Sequence, residues 1–248
     1  QRALLVAAGG TQLLVAAMWM MGRPAPVGLV YAAWLLGPPL LLGALLLRTD
    51  SLSLCLQVAV LGGVALVVVL HATLGDPEQF WSPFVRDLAE EMKRRGLPME
   101  LEEETLVAML SRTLWGWVAV LTMLLAMGAL FLARWWQSMP ERRGAFGAEF
   151  QQLRLGLALG VVSALVIVAS LLTDRTLVDD LARLFLAALA IIGLAAAHRL
   201  KARGALPGLW LWVLYVLLIV VAPVTVAALA GWGFVDNWLR SRPQAQSA

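Results

Sequence analysis

The feature that most constrains this chain is the length of its apolar runs. Between Leu52 and Leu74 there is no Asp, Glu, Lys or Arg, and similar runs recur along the 248 residues. A helix needs about 20 residues to cross the hydrocarbon core of a bilayer. Inside that core every backbone N–H and C=O must be satisfied within the segment. Runs of this kind therefore predict an all-α fold, a polytopic transmembrane helical bundle. A β-barrel is excluded because the runs are continuous rather than alternating. Composition agrees: 61% of residues are hydrophobic and 14% charged, against about a quarter charged in soluble domains.

Seven spans are expected in a single transmembrane domain covering 1–248: 3–21, 27–47, 52–74, 114–133, 155–172, 177–197 and 206–231. The chain begins at Gln1, and whether residues precede it is left open. The run 3–21 reads as a span rather than a leader, because another span follows it at once. Helix breaks are expected at Pro38 and Pro39, after Gly37, and at Pro223, since proline removes a helical donor and its ring clashes with the preceding turn.

Arg48, Arg134, Arg142, Arg143, Arg154, Arg199, Lys201 and Arg203 fall at one set of span ends. An excess of Lys and Arg marks the cytoplasmic side, so loops 134–154 and 199–206 are expected inside and 75–112 outside, in a bacterial inner membrane. The tail Asp236–Arg242 would then end outside with Arg240, which fits that rule poorly. The formal charge of +3 is accounted for by these loop ends, and no basic face points to nucleic acid.

One long polar stretch, 75–112, separates the third and fourth spans. Asp76-Pro77-Glu78-Gln79 has the form of a helix start. Phe80, Trp81, Phe84, Val85, Leu88 and Met92 share a face opposite Arg86, Asp87, Glu90 and Glu91, which predicts an amphipathic helix over 77–95. Gly96 and Pro98 supply its stop. Nine acids against four bases over 75–104 suit anionic lipid headgroups poorly. The apolar face is therefore expected to dock on the span ends as a cover over an outer-facing pocket. The acids Glu100 and Glu102–Glu104 lead into the next helix, where they complement its dipole without requiring a cation.

The candidate ligand-binding residues are His71, Trp81, Phe84, Asp179, Asp180 and Arg183. His71 lies a turn before the end of the third span, and ionisable groups at such depth are functional candidates, although its ring could also simply reach interfacial water. Asp179, Asp180 and Arg183 belong to the densest charge cluster beside a span, and Asp179 and Arg183 stand four apart, a spacing at which they can pair. His198 beside Arg199 suits a helix C-terminus. Gly156 and Gly160 have the spacing of a close helix contact. Cys55, the only cysteine, has no disulfide partner. No HExxH, GxSxG, phosphate-loop lysine or CxxC pattern occurs, and the spans place almost no two polar groups at one depth. A non-enzymatic protein is expected, with no cofactor and no metal.

The C-terminal third, "AAAHRLKARGALPGLWLWVLYVLLIVVAPVTVAALAGWGFVDNW", and "LGDPEQFW" after an apolar span resemble the YybS-like family of bacterial inner-membrane proteins of unassigned function. His198, Pro223, Asp236 and Asn237 fall in the part most similar to it. A more distant likeness is to the substrate-binding subunits of energy-coupling-factor vitamin transporters, which implies an outer pocket covered by an extracytoplasmic loop. The AxxxA contact of those subunits has only the spacing of Ala3 and Ala7 here. The expected partners are the lipid bilayer, and either a small-molecule ligand bound or transported, or another membrane protein served by an accessory subunit or assembly factor.

Overall fold

The computed structural model describes residues 25–97, 102–141 and 144–241. The predicted span 3–21, Ala3 and Ala7, Pro98, Glu100, Arg142 and Arg143 lie outside them. The described residues form ten helices and no strand: α1 (Ala25–Thr49), α2 (Leu52–Leu74), α3 (Pro77–Arg94), α4 (Glu103–Ser111), α5 (Leu114–Glu141), α6 (Ala145–Phe150), α7 (Gly156–Leu172), α8 (Thr176–Ala202), α9 (Gly208–Val220) and α10 (Ala222–Ser241). Four stretches are long and apolar enough to cross a membrane, Val30–Thr49, Leu52–Leu74, Leu114–Ser138 and Thr176–Ala202, while α7 and α9 are shorter apolar helices.

Helix α8 is the axis of the bundle. It packs on α2, α5, α7 and α10, and its buried face runs from Asp180 and Leu184 through Phe185 and Ile192 to Ala197. Outward-facing side chains such as Leu41, Leu125, Leu165 and Ile219 are exposed and apolar, as a surface meeting lipid tails requires.

Two glycines set the closest contact. A Cβ on Gly193 of α8 would stand 2.1 Å from the Leu229 carbonyl oxygen of α10, and one on Gly233 of α10 would stand 2.0 Å from the Leu189 carbonyl oxygen. Small residues allow helix backbones to approach within a membrane, where lipid tails remove the hydrophobic drive to associate. Gly160 of α7 serves similarly, since its Cβ would meet the Asn237 amide of α10 at 2.6 Å.

The ends of the bundle differ in charge. At one end Arg134 bonds Asp50 at 2.7 Å and Glu149 at 2.9 Å, and Arg199 bonds the Gln151 carbonyl and the Asp236 carboxylate. Arg48, Arg154, Lys201, Arg203 and Arg240 belong to the same end. The other end holds Gly75, α3, α4 and Asp174, tied by Trp115 to the Gly75 carbonyl and by Arg112 to Asp174.

Three expectations change. The run 206–231 is not one helix: it breaks at Val221, and Pro223 sits in the first turn of α10, where a missing N–H costs no helical bond. Because Asp236 and Asn237 bond to Arg199, Leu155 and Gly156, α10 finishes at the basic end, where α9 began. Arg240 therefore joins the other bases instead of facing away from them. Third, α1 stays helical through Pro38 and Pro39. The bonds those residues cannot donate are lost, but the helix continues on both sides, and Pro38 lines a small cavity with Thr122 and Met123 of α5.

Replacing Gly193 by Val is expected to lower stability by about 1–3 kcal/mol, the cost of overpacking, and to lower the Tm in mild detergent. Gly37→Ala, which meets open space, should leave the Tm unchanged. Cysteines placed at Ala205 and Leu239, both exposed, should both react with a membrane-impermeant reagent from the same side.

Candidate functional site

At the acidic end, α2, α5 and α8 meet on one carboxylate. Asp180, in the second turn of α8, is fully buried. His71 Nε2 lies 2.9 Å from its Oδ2, and Arg183 Nη1 donates to its Oδ1 at 2.6 Å. The Gly116 backbone in the first turn of α5 also approaches the carboxylate and favours its charge, at a helix start where N–H groups lack partners within their own helix. The carboxylate thus sits at the positive end of the α5 dipole as well as between two basic side chains. Glycine is required at 116 by proximity: a Cβ there would stand 2.6 Å from Asp180 Oδ1 and 3.0 Å from its Cα.

Burying one charge without partners is prohibitive, and burying it with several bonds is tolerable. The expected pairing of Arg183 with Asp179 is replaced by pairing with Asp180, three residues away. Asp179 makes no ion pair among the described residues, and with Arg183 it lines a cleft of about 750 Å3 that also takes in Glu104, Met109, Arg112 and Asp174. Arg112 bonds Asp174 at 2.6 Å and lies 3.8 Å from Glu78. The hydrogen bond to Asp174 pushes its guanidinium above the ordinary arginine value, so it is a permanent cation.

The aromatic residues are placed differently from expectation. Helix α3 starts as its sequence directs, with Asp76 Oδ1 accepting from the Glu78 N–H at 2.8 Å, and it ends before Gly96 in a positive-φ conformation. It buries Val85 and Ala89, and packs mainly on α4. Phe80, Phe84 and Leu88 are exposed, because they lie on the edge of the apolar face that turns away from α4. Trp81 stacks edge-on against Phe80, Phe84 and Trp115. Neither Trp81 nor Phe84 lines the cleft, whose wall on this side is α4. The structure therefore brings His71, Asp180 and Arg183 together, sets Asp179 beside them, and places Trp81 against Trp115, the residue next to Gly116, with Phe84 exposed beside it.

Gly116 and Arg112 escaped the sequence reading. Both lie just at the start of α5, and no local pattern says that the first turn of one helix receives a carboxylate from another. At the basic end, Asn237 Oδ1 accepts from the N–H groups of Leu155 and Gly156 at 2.8 and 3.1 Å, and its amide donates back to the Gly156 carbonyl at 3.0 Å. It caps α7 from α10, a structural role. Among the described residues no group of three His, Cys, Asp or Glu side chains is placed to hold a metal ion.

By helix length and composition this is a helical protein built for a membrane. No protein-family model, curated protein or solved structure matches the chain.

Asp180→Ala should destabilise the protein by about 3–5 kcal/mol, the usual cost of breaking a buried pair, because His71 and Arg183 both lose their acceptor. Gly116→Ala should also destabilise it. Thermal unfolding in detergent measures both. Phe84→Ala, an exposed change, should have little effect.

Proposed function

We propose that this chain is an integral membrane protein that binds a small polar solute carrying a positive group, in the cleft at the acidic end. The observation that carries this reading is the cleft beside the buried Asp180 hub. Arg112 and Arg183 are already paired with carboxylates, while the half-buried Asp179 faces the same space with no ion pair among the described residues. A solute bearing an ammonium or similar cation would complete that charge balance, and neutral donors and acceptors at Thr105 and Thr113 would orient the rest of it. Helix α4 is the cover in this arrangement, and α3 braces α4 through Arg86–Glu104 and Lys93–Glu103.

The orientation that fits is the basic end in the cytoplasm, with α3 and α4 on the outer surface of a bacterial inner membrane. Among the described residues α1, α2, α5, α7 and α8 then supply five crossings, and α9 with α10 enters and returns at the cytoplasmic side. Membership of the YybS-like family is part of this reading, and it brings no mechanism with it.

A second reading rests on α9, which buries only Leu211 and exposes Leu209, Trp212, Val216, Ile219 and Val220. Such a helix can dock on another membrane protein, making the chain an accessory subunit. Native mass spectrometry of the full chain, extracted gently from its membrane, separates the two. A retained metabolite-sized mass that is lost in Asp179→Asn and kept in Phe84→Ala is expected. Retention unchanged in Asp179→Asn contradicts the cleft assignment, and a protein-sized adduct favours the accessory reading.

A further inference from the structure

A second cavity lies at the basic end, far from the Asp180 hub. It is a half-open cavity of about 960 Å3 between α5, α6, α8 and α9, at the upper end of the size range of small-molecule sites. Its lining is graded with depth. At the level of Leu124, Met127, Ile191 and Leu194 the walls are apolar, while towards the end of α5 Trp135, Ser138, Gln151, His198 and Tyr215 join the rings of Phe131, Phe146 and Phe150. From Leu124 to Ser138 the α5 backbone rises ~20 Å, so the cavity runs from mid-membrane depth to the basic surface.

The polar part has defined hydrogen-bond directions. His198 Nδ1 lies 2.9 Å from the Leu194 carbonyl, an acceptor only, so Nδ1 carries the proton. In the neutral ring Nε2 is then the acceptor, and the Tyr215 hydroxyl donates to it at 3.3 Å. That bond is long for its type, so the hydroxyl can turn to an arriving acceptor at little cost. Phe150 stacks edge-on against the other side of the imidazole, which holds the ring in place. This end of the bundle is basic: among the described side chains, Arg48, Arg154, Lys201 and Arg203 make no salt bridge, whereas the acids Asp50, Glu149 and Asp236 are all paired.

We propose that this cavity is a binding site for an anionic membrane amphiphile, its hydrocarbon chain along Leu124, Met127 and Leu194 and its acceptor-rich head at Tyr215 and Trp135. The apolar depth selects a chain, the Tyr215 hydroxyl selects an acceptor, and the net positive end selects a negative head. A two-chain phospholipid and a single-chain or isoprenoid anion share this chemistry, and their masses distinguish them. The site is independent of the polar-solute cleft, so either can fail without the other.

Gly128 provides the test, because it lines the cavity and a Cβ there meets nothing within 4 Å. Gly128→Leu should fill the space without colliding with backbone. The full chain would be delipidated, reconstituted with phosphatidylglycerol or phosphatidylcholine, and released for native mass spectrometry. Retained phosphatidylglycerol is expected on the natural chain, lost in Gly128→Leu, and weakened roughly five-fold in Tyr215→Phe, as the loss of one hydrogen bond implies. Gly231→Leu, in an exposed position with open space, should retain it fully. A single-chain or isoprenoid anion co-purifying in place of phosphatidylglycerol, with the same response to the variants, equally supports the site. Equal retention of phosphatidylcholine, or unchanged retention in Gly128→Leu and Tyr215→Phe, overturns the proposal.

Discussion

The Asp180 carboxylate is the constraint around which the acidic half of the bundle is arranged. Three helices contribute to it, α2 through His71, α5 through the Gly116 backbone and α8 through Arg183. Most packing in this protein is between aliphatic side chains, which fix separation well and rotation poorly. In a membrane the association of such surfaces gains nothing from hydrophobic transfer. A buried, fully bonded carboxylate is directional and leaves few alternative registers. It therefore sets where α2 and α5 stand against α8, while the cleft containing Asp179 is walled by α4, the turn at Arg112 and Thr113, Asp174 and α8.

The basic half uses a different device. There α8 and α10 approach through Gly193 and Gly233, and the chain ends are stitched by Arg199, Asp236 and Asn237 to the turn before α7. The close backbone contact seats α10 against α8 along Gly193 and Gly233. Helix α9 buries only Leu211 and lies at the edge, where it bounds the cavity beside Tyr215. The two halves thus combine one rigid polar hub with one open, graded cavity.

Much of the architecture is legible in the sequence because lipid imposes length and apolarity on spans, and α2 and α8 follow from composition alone. The start of α3 at Asp76 and its stop at Gly96 follow from side-chain capping and glycine geometry, which are local. His71, Asp180 and Arg183 stand out because charge is rare beside an apolar run. Which acid meets Arg183 was not legible, since spacings of three and four are both allowed on a helix. Gly116, Gly193 and Gly233 were hidden for another reason: among 21 glycines, only the partner helix says which ones must lack a Cβ. A break near Pro223 was legible, but the return of the chain there was not, because a run long enough to cross and a run that turns back have the same composition.

The coupling energy between His71 and Asp180 bears most directly on the central role of the hub. It is obtained from the unfolding of His71→Ala, Asp180→Asn and the double variant in one detergent. A coupling of about 1–3 kcal/mol is expected for groups in one buried network. Additive effects, with a coupling below about 0.3 kcal/mol, would mean that the two side chains do not act together and that the carboxylate does not organise the acidic end.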